Sequence, residues 1–320
     1  MITCLNNLIG MRGLADKEDP DSGYFLNDLH GITTDQLEAI GDDTDQYEAR
    51  LAWDDIYDRS SRIMESDIKT AMNRYYKGYS YKAHSITGAL DVKNVTLATE
   101  AFYSGWYFDL VGLSPNQSIV FETATIHVVT GSSFSIKVFD ALTGEQLFTE
   151  DYTATAGLKT YRILQSFPLW KHRQIFVAYD ATAITVKQVD RFDLNLGVAS
   201  ANHVSTSASV VNDNLTASET GMMLNYNVSC SLDNFVCQRI DLFTNPFLYK
   251  MGIEFCNERI YSDRINRWTL MDKDEAIALR DELKEQYDEL LDNIFRDIRV
   301  EENDDCFECA KDVTYKVLHP

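Results

Sequence analysis

Cys306-Phe-Glu-Cys309 is the one place in this sequence where two metal-binding side chains stand at a spacing suited to gripping a single ion. Two thiolates separated by two residues can hold a tetrahedral Zn²⁺ when two more ligands come from elsewhere. Cys230 and Cys237 are the candidates, making a set of Cys230, Cys237, Cys306 and Cys309. The six residues between Cys230 and Cys237 exceed the usual spacing, so the pattern is not a recognised zinc ribbon. Two other readings stay open: disulfides formed after lysis, or free thiols packed as small apolar side chains. Zinc is the only cofactor that any motif suggests. The start, Met1-Ile-Thr-Cys-Leu-Asn-Asn, has neither the basic stretch nor the apolar core of an export signal, so thiols made in a reducing cytosol are the expectation.

The remaining reactive side chains do not assemble into a mechanism. His30, His84, His127, His172, His203 and His319 are scattered. His127, in Thr-Ile-His-Val-Val, reads as a half-buried or surface strand residue. Gly-x-Ser-x-Gly, Walker-type and His-Glu-x-x-His motifs are all missing, so hydrolase, NTPase and zincin chemistry lack their mechanical parts and the chain reads as non-enzymatic. Asp42-Asp43, Asp54-Asp55 and Asp304-Asp305 are the kind of carboxylate pairs a glycosidase uses, but adjacent acids are expected in a chain with 50 of them. The run from Asp16 to Asp21 lacks the glycine and distal Glu of an EF-hand loop and reads as a solvated turn. The aromatic cluster Phe102-Tyr-Ser-Gly-Trp-Tyr-Phe108 could stack on sugar rings; the alternative, which we prefer, is that Phe102, Trp106 and Phe108 fill a core.

The elements that would position these groups follow from periodicity. Residues 1–43 form an extended arm rich in turn-formers, whose apolar residues Leu5, Leu8, Ile9, Tyr24, Phe25 and Leu26 need a surface to lie on and are expected to make subunit contacts. In residues 44–78, Tyr47, Leu51, Ile56, Met64, Ile68, Met72 and Tyr75 recur at helical spacing. Over 79–192 the period becomes two, as in Phe134, Ile136 and Val138, with turns at Thr130-Gly131 and Thr143-Gly144. Residues 193–230, low in charge and rich in Ser and Asn, read as a linker. Residues 231–320 form a helical region with the Cys-x-x-Cys tail. One helix is expected to start at Asn245-Pro246 and a second near Asp272, with Leu283, Tyr287, Leu290, Ile294 and Ile298 on one face. The expected fold is therefore α+β: a central antiparallel β-sandwich, jelly-roll-like, inserted between an N-terminal arm plus long helix and a C-terminal helical hairpin.

Composition bounds the partners. Fifty acidic against 29 basic residues give a net charge of −21, which repels phosphate and argues against specific nucleic-acid binding. No run of 18 apolar residues is present, so no membrane-spanning helix is expected.

Three stretches together resemble structural proteins encoded in the tail-region gene blocks of phages and prophages of Bacteroidota, including crAss-like phages. They are Cys4-Leu-Asn-Asn-Leu-Ile-Gly-Met-Arg-Gly13 with Asp19-Pro-Asp-Ser-Gly-Tyr-Phe-Leu-Asn-Asp-Leu-His-Gly-Ile32; Cys230 to Cys237 with Cys256-Asn-Glu-Arg-Ile-Tyr-Ser-Asp-Arg-Ile-Asn-Arg-Trp268; and Cys306 to Pro320. The resemblance implies a virion component assembled in the host cytoplasm. Its natural home would be a neck or tail ring joining the portal side to the tail, a homo-oligomer of about twelve copies touching other neck and tail proteins while DNA passes through. A carbohydrate-binding jelly-roll module of a host-attachment device is the alternative.

Overall fold

The computed structural model of the chain describes residues 2–14, 19–41, 49–79, 84–87, 92–97, 102–131, 133–189, 200–206, 210, 214–261, 273–298 and 306–309. Elements follow in the order β1 (Ile9–Gly10), β2 (Tyr24–Phe25), α1 (Thr34–Ile40), α2 (Ala49–Tyr75), β3 (Tyr76–Tyr79), β4 (His84–Thr87), β5 (Val92–Thr96), β6 (Tyr103–Asp109), β7 (Gln117–Gly131) and β8 (Ser133–Asp140). They continue with β9 (Gln146–Thr153), β10 (Gly157–Pro168), β11 (Gln174–Asp180), β12 (Ile184–Val189), β13 (Ser200–Thr206), β14 (Thr216–Ala217), β15 (Met222–Cys230), α3 (Leu232–Cys237), α4 (Ile240–Tyr261), α5 (Lys273–Asp297) and β16 (Phe307–Cys309). The fold is α+β, with antiparallel sheets between helical segments. Two compact units result: Met1–Tyr79 with Phe235–Pro320, and Ser80–Asn234.

The helical unit is built on α4. This helix is buried on nearly every side, through Phe243, Phe247, Leu248, Met251, Ile253, Phe255, Cys256 and Ile260 and also Lys250, Glu254 and Arg259, which is the signature of a central helix. The amphipathic α2 and α5 each lay one stripe on the bundle: Trp53, Ile56, Met64, Ile68 and Met72 from α2, and Ala276, Leu283, Tyr287, Leu291 and Phe295 from α5. Leu290 and Ile294, expected in that stripe, are only half-buried. The helix α4 begins at Ile240 and carries Pro246 inside it, not at its start. Proline removes one backbone donor from the helix, a cost that the full burial of Phe243 and Phe247 beside it offsets.

The N-terminal arm belongs to this unit. Ile2, Leu5, Leu8, Ile9, Met11, Leu26 and Ile32 are all buried within the chain. The Tyr57 hydroxyl of α2 donates to the Leu5 carbonyl and accepts the Leu8 N–H at 2.7 Å. A disulfide joins Cys4 to Cys237 at a Cα separation of 5.5 Å. On α4, a Cβ at Gly252 would lie 2.8 Å from Leu283 of α5 and 2.9 Å from Leu29 of the arm, so glycine lets both approach the helix.

The second unit is a jelly roll. One sheet contains β5-β12-β7-β10 and the other β6-β11-β8-β9 as hydrogen-bonded neighbours, all antiparallel. From β5 to β12, successive strands alternate between sheets except at the β8–β9 hairpin, which is the two-Greek-key connectivity of an eight-stranded jelly roll. The long β7 gives one edge to β10 and shares the other between β12, opposite residues 128–131, and β15, opposite 117–126. Strand β4 extends the first sheet from β15, and β13 and β14 extend the second from β6. The inner faces interdigitate Trp106, Phe108, Ile119, Phe121, Ile126, Val138, Val177, Val186, Leu224 and Tyr226, with the Phe108 ring 4.8 Å from Tyr226 and 5.2 Å from Phe121.

The segment 193–230, read as a linker, is therefore corrected in part. It supplies β13, β14 and the nine-residue β15. Met222, Leu224, Tyr226 and Val228 point into the core at period two, while Asn225 and Asn227 face the other way and donate to Thr123 and Glu122. Low charge and many amides resemble a linker in composition, but the alternation is that of a half-buried strand. The helix expected from residue 44 is described from Ala49. Asp42-Asp43, Asp304-Asp305, the first half of the Asp16–Asp21 run and the proposed helix start at Asp272 lie outside the described residues.

Candidate functional site

The cysteines are not gathered as four thiolates. Cys237 is bonded to Cys4, and Cys230 and Cys306 are also disulfide-bonded, so these three have no thiolate to offer zinc in this state. Cys309 lies in β16, with its side chain outside the described part. Cys4 could not be placed by spacing, because it is 233 residues from its partner. Cys256 keeps a free thiol buried on α4, and burial pushes it up to about 11, so it acts as a small apolar residue and not as a nucleophile or ligand.

The arm residues expected at subunit contacts are corrected likewise. Leu5, Leu8, Ile9 and Leu26 are buried against the chain's own helices, Phe25 is half-buried under the Arg12 guanidinium, 4.4 Å from its ring centre, and Tyr24 alone of the six is exposed. The surface these residues needed is intramolecular. In the aromatic cluster, Trp106 and Phe108 fill the sandwich core and the Trp106 indole donates to the Met222 carbonyl at 2.7 Å. Phe102 is 55% exposed, contrary to the core reading. His127 is half-buried on β7.

What the fold does assemble is one end of the jelly roll, where three loops meet: 110–116 after β6, 141–145 after β8 and 169–173 after β10. They are tied to one another by the Leu110 N–H to the Arg173 carbonyl (2.9 Å), the Ala141 N–H to the Gln174 carbonyl (2.8 Å) and the Arg173 guanidinium to the Leu113 carbonyl (2.6 Å). The Asp140 carboxylate accepts the N–H groups of Leu142 and Thr143 at 2.9 and 3.1 Å and the His172 Nδ1 at 2.8 Å. This fixed end displays Val111 and Leu142, which are 61% and 65% exposed, and Lys171, whose ammonium lies 4.9 Å from the centre of the Trp170 ring. A sequence signal existed: Leu-Val-Gly-Leu-Ser-Pro-Asn, residues 110–116, is an uncharged loop in a chain with net charge −21.

Burial alone would raise the Asp140 carboxyl, but the bonds from His172, Thr143 and Leu142 outweigh it and hold it below the ordinary carboxylate range. A carboxyl lowered in this way stabilises the fold fully above its unfolded value of about 3.9. That contribution is lost as pH falls through the lower folded value. The stability gap between wild type and Asp140→Asn, read from urea midpoints, is therefore expected to shrink as pH drops from 5 toward 2. A gap constant over that range would mean that the carboxylate is not stabilised by these bonds.

In the helical unit, α2, α4 and α5 line a half-open groove of about 930 Å³. At its centre the largely buried Lys250 lies 3.4 Å from Asp67 and 5.0 Å from the centre of the Tyr287 ring, and the Tyr287 hydroxyl donates to Asp67 at 2.9 Å. Burial and the Asp67 charge hold the Tyr287 phenol protonated far above its usual range. These groups satisfy one another, and cations and anions alternate along the walls, so the groove selects no charge type.

No protein-family model matches the chain, and no curated protein matches it. Among solved structures it is similar to the VP2 subviral particle of infectious bursal disease virus, at 8% identity and a TM-score of 0.19, over 57% of this chain and 54% of that one. For the Gt strain of that virus the values are 8%, 0.21, 56% and 53%, and for the Gx strain 12%, 0.21, 63% and 55%. The chain spans about half the length of the solved structures it matches, and a likeness at these TM-scores does not define a shared fold. Among the described residues, no helix is long and apolar enough to cross a membrane.

Proposed function

We propose that the protein is a non-enzymatic structural component of a virion, assembled as a closed homo-oligomeric ring at the neck or tail around the passing genome. The observation that carries this reading is the rigid end of the jelly roll. Three loops cross-linked by backbone and side-chain hydrogen bonds hold Val111 and Leu142 in solvent, an arrangement that lowers the entropic penalty of docking. The resemblance of both chain ends to phage tail-region proteins supports the virion setting. The net charge of −21 supports a wall that DNA slides past instead of binding. The Cys4–Cys237 bond needs an oxidising milieu, so a chain made in a reducing cytoplasm closes it after release.

The alternative, a carbohydrate-binding module, keeps one exposed aromatic of the 102–108 cluster, Phe102. Light scattering behind size exclusion, at several concentrations and with added neck and tail proteins, tests the first reading. A large discrete oligomer is the expected result. A monomer under every condition that also binds glycans would replace the ring with the attachment module.

A further inference from the structure

We infer that the loop end of the jelly roll docks on the exposed acidic face of α5 of a second copy of this chain, a heterologous contact that repeats around the assembly. The inference rests on the oligomeric reading above and names its interface. Two surfaces of the chain fit each other. The first is the loop end, with the uncharged 110–116 loop, the exposed Val111 and Leu142, and the Lys171 cation held over Trp170, Glu145 being the one exposed carboxylate of its three loops. The second is the outer face of α5, where Glu282, Glu285 and Glu289 are exposed at spacings of three and four residues, which places them on one stripe. The half-buried Leu290 borders that stripe, so it offers an apolar margin beside its carboxylates.

Charge decides the pairing. Two chains of −21 repel over most of their surface. Contact is least opposed where one side is apolar with an exposed cation. Like-with-like contact would place α5 stripes together, with three carboxylates facing three, a juxtaposition of the kind that suppresses association. Loop end against stripe pairs Lys171 with Glu and lets Val111 and Leu142 lie against Leu290 and the glutamate stems. Because the two patches are different, the contact is head-to-tail and closes into a ring when the rotation permits.

Two full-length variants test this, both altered only at exposed positions: an acidic end, Leu142→Glu with Lys171→Glu, and a basic stripe, Glu285→Lys with Glu289→Lys. Far-UV circular dichroism and the melting temperature establish that each is folded. Native mass is then read for wild type, each variant and their equimolar mixture. Each variant alone is expected to assemble at least about 10-fold more weakly than wild type, and the mixture to regain the oligomer, since acidic end and basic stripe now attract. A wild-type oligomer that survives both variants would overturn this interface and leave the ring standing. Loss with the end variant alone, without rescue by the mixture, would also overturn it, because the partner surface would then lie elsewhere. A wild type that stays monomeric at every concentration and with added neck and tail proteins would overturn the ring and this contact together.

Discussion

A chain lacking residues 1–32 is expected to lose its folded helical unit altogether, not to become a folded monomer freed of an arm. Seven apolar side chains of that segment, from Ile2 to Ile32, are buried on the unit. At roughly 1.5–3 kcal/mol each, their burial is comparable to the whole stability of a domain, about 5–15 kcal/mol. The measurement is thermal melting followed at 222 nm together with limited proteolysis. The truncated chain should show no cooperative helical transition, and its α2, α4 and α5 segments should be cut. A stable helical product would mean that the arm lies on a core that does not need it. The disulfide is a separable part of the same effect. Cys4→Ser keeps the burial and removes only the covalent closure of a loop spanning 233 residues. It should lower stability by about 4–5 kcal/mol in oxidised protein and have no effect once wild type is reduced.

Gly105→Ala is expected to be the most damaging single methyl that can be added to the sandwich. Strand β6 runs between β11 and β13, and a Cβ at Gly105 would sit 2.0 Å from the Val177 carbonyl oxygen and 2.7 Å from the Ala178 Cα. Both obstacles are backbone atoms of the neighbouring strand, which cannot turn aside as a side chain would. β6 and β11 must separate, and they carry Trp106, Phe108, Ile175 and Val177 into the core. A loss above about 4 kcal/mol, or insoluble protein, is the expected outcome. Gly112→Ala is the control, since nothing lies within 4 Å of its added Cβ, and its unfolding free energy from urea titration should match wild type to within about 0.5 kcal/mol. Equal midpoints for the two variants would show that β6 does not lie against β11 in this register.

The proposed interface and the Asp140 cluster share one end of the jelly roll, so the pH and assembly experiments bear on each other. Asp140 positions Leu142 through its N–H. Asp140→Asn is expected to weaken assembly in proportion to any loosening of that turn, even at pH values where folding is intact.

Periodicity and composition by themselves determined the class of this protein. Helical spacing before residue 79, period two after it and helical spacing again near the end mark a β-sandwich interrupting a helical unit, because a 3.6-residue and a two-residue repeat bury different sets of side chains. The expectation that no broad surface binds phosphate likewise needs no fold, because the net charge of −21 is a sum over residues. What depends on partners far apart in sequence was not legible. Cys4 finds Cys237, and Leu5 finds Tyr57, only once α2 and α4 have packed, so an apolar arm looks the same whether it lies on its own chain or on a neighbour. The α5 stripe shifted from Leu290 and Ile294 to Leu291 and Phe295 because two candidate faces overlap on one helix and packing against α4 chooses between them. The linker became a strand because β7 is long enough to pair with β12 and β15 along one edge. The loops 110–116, 141–145 and 169–173 meet because alternate strands cross between sheets, and connectivity of that kind is decided by the tertiary fold alone.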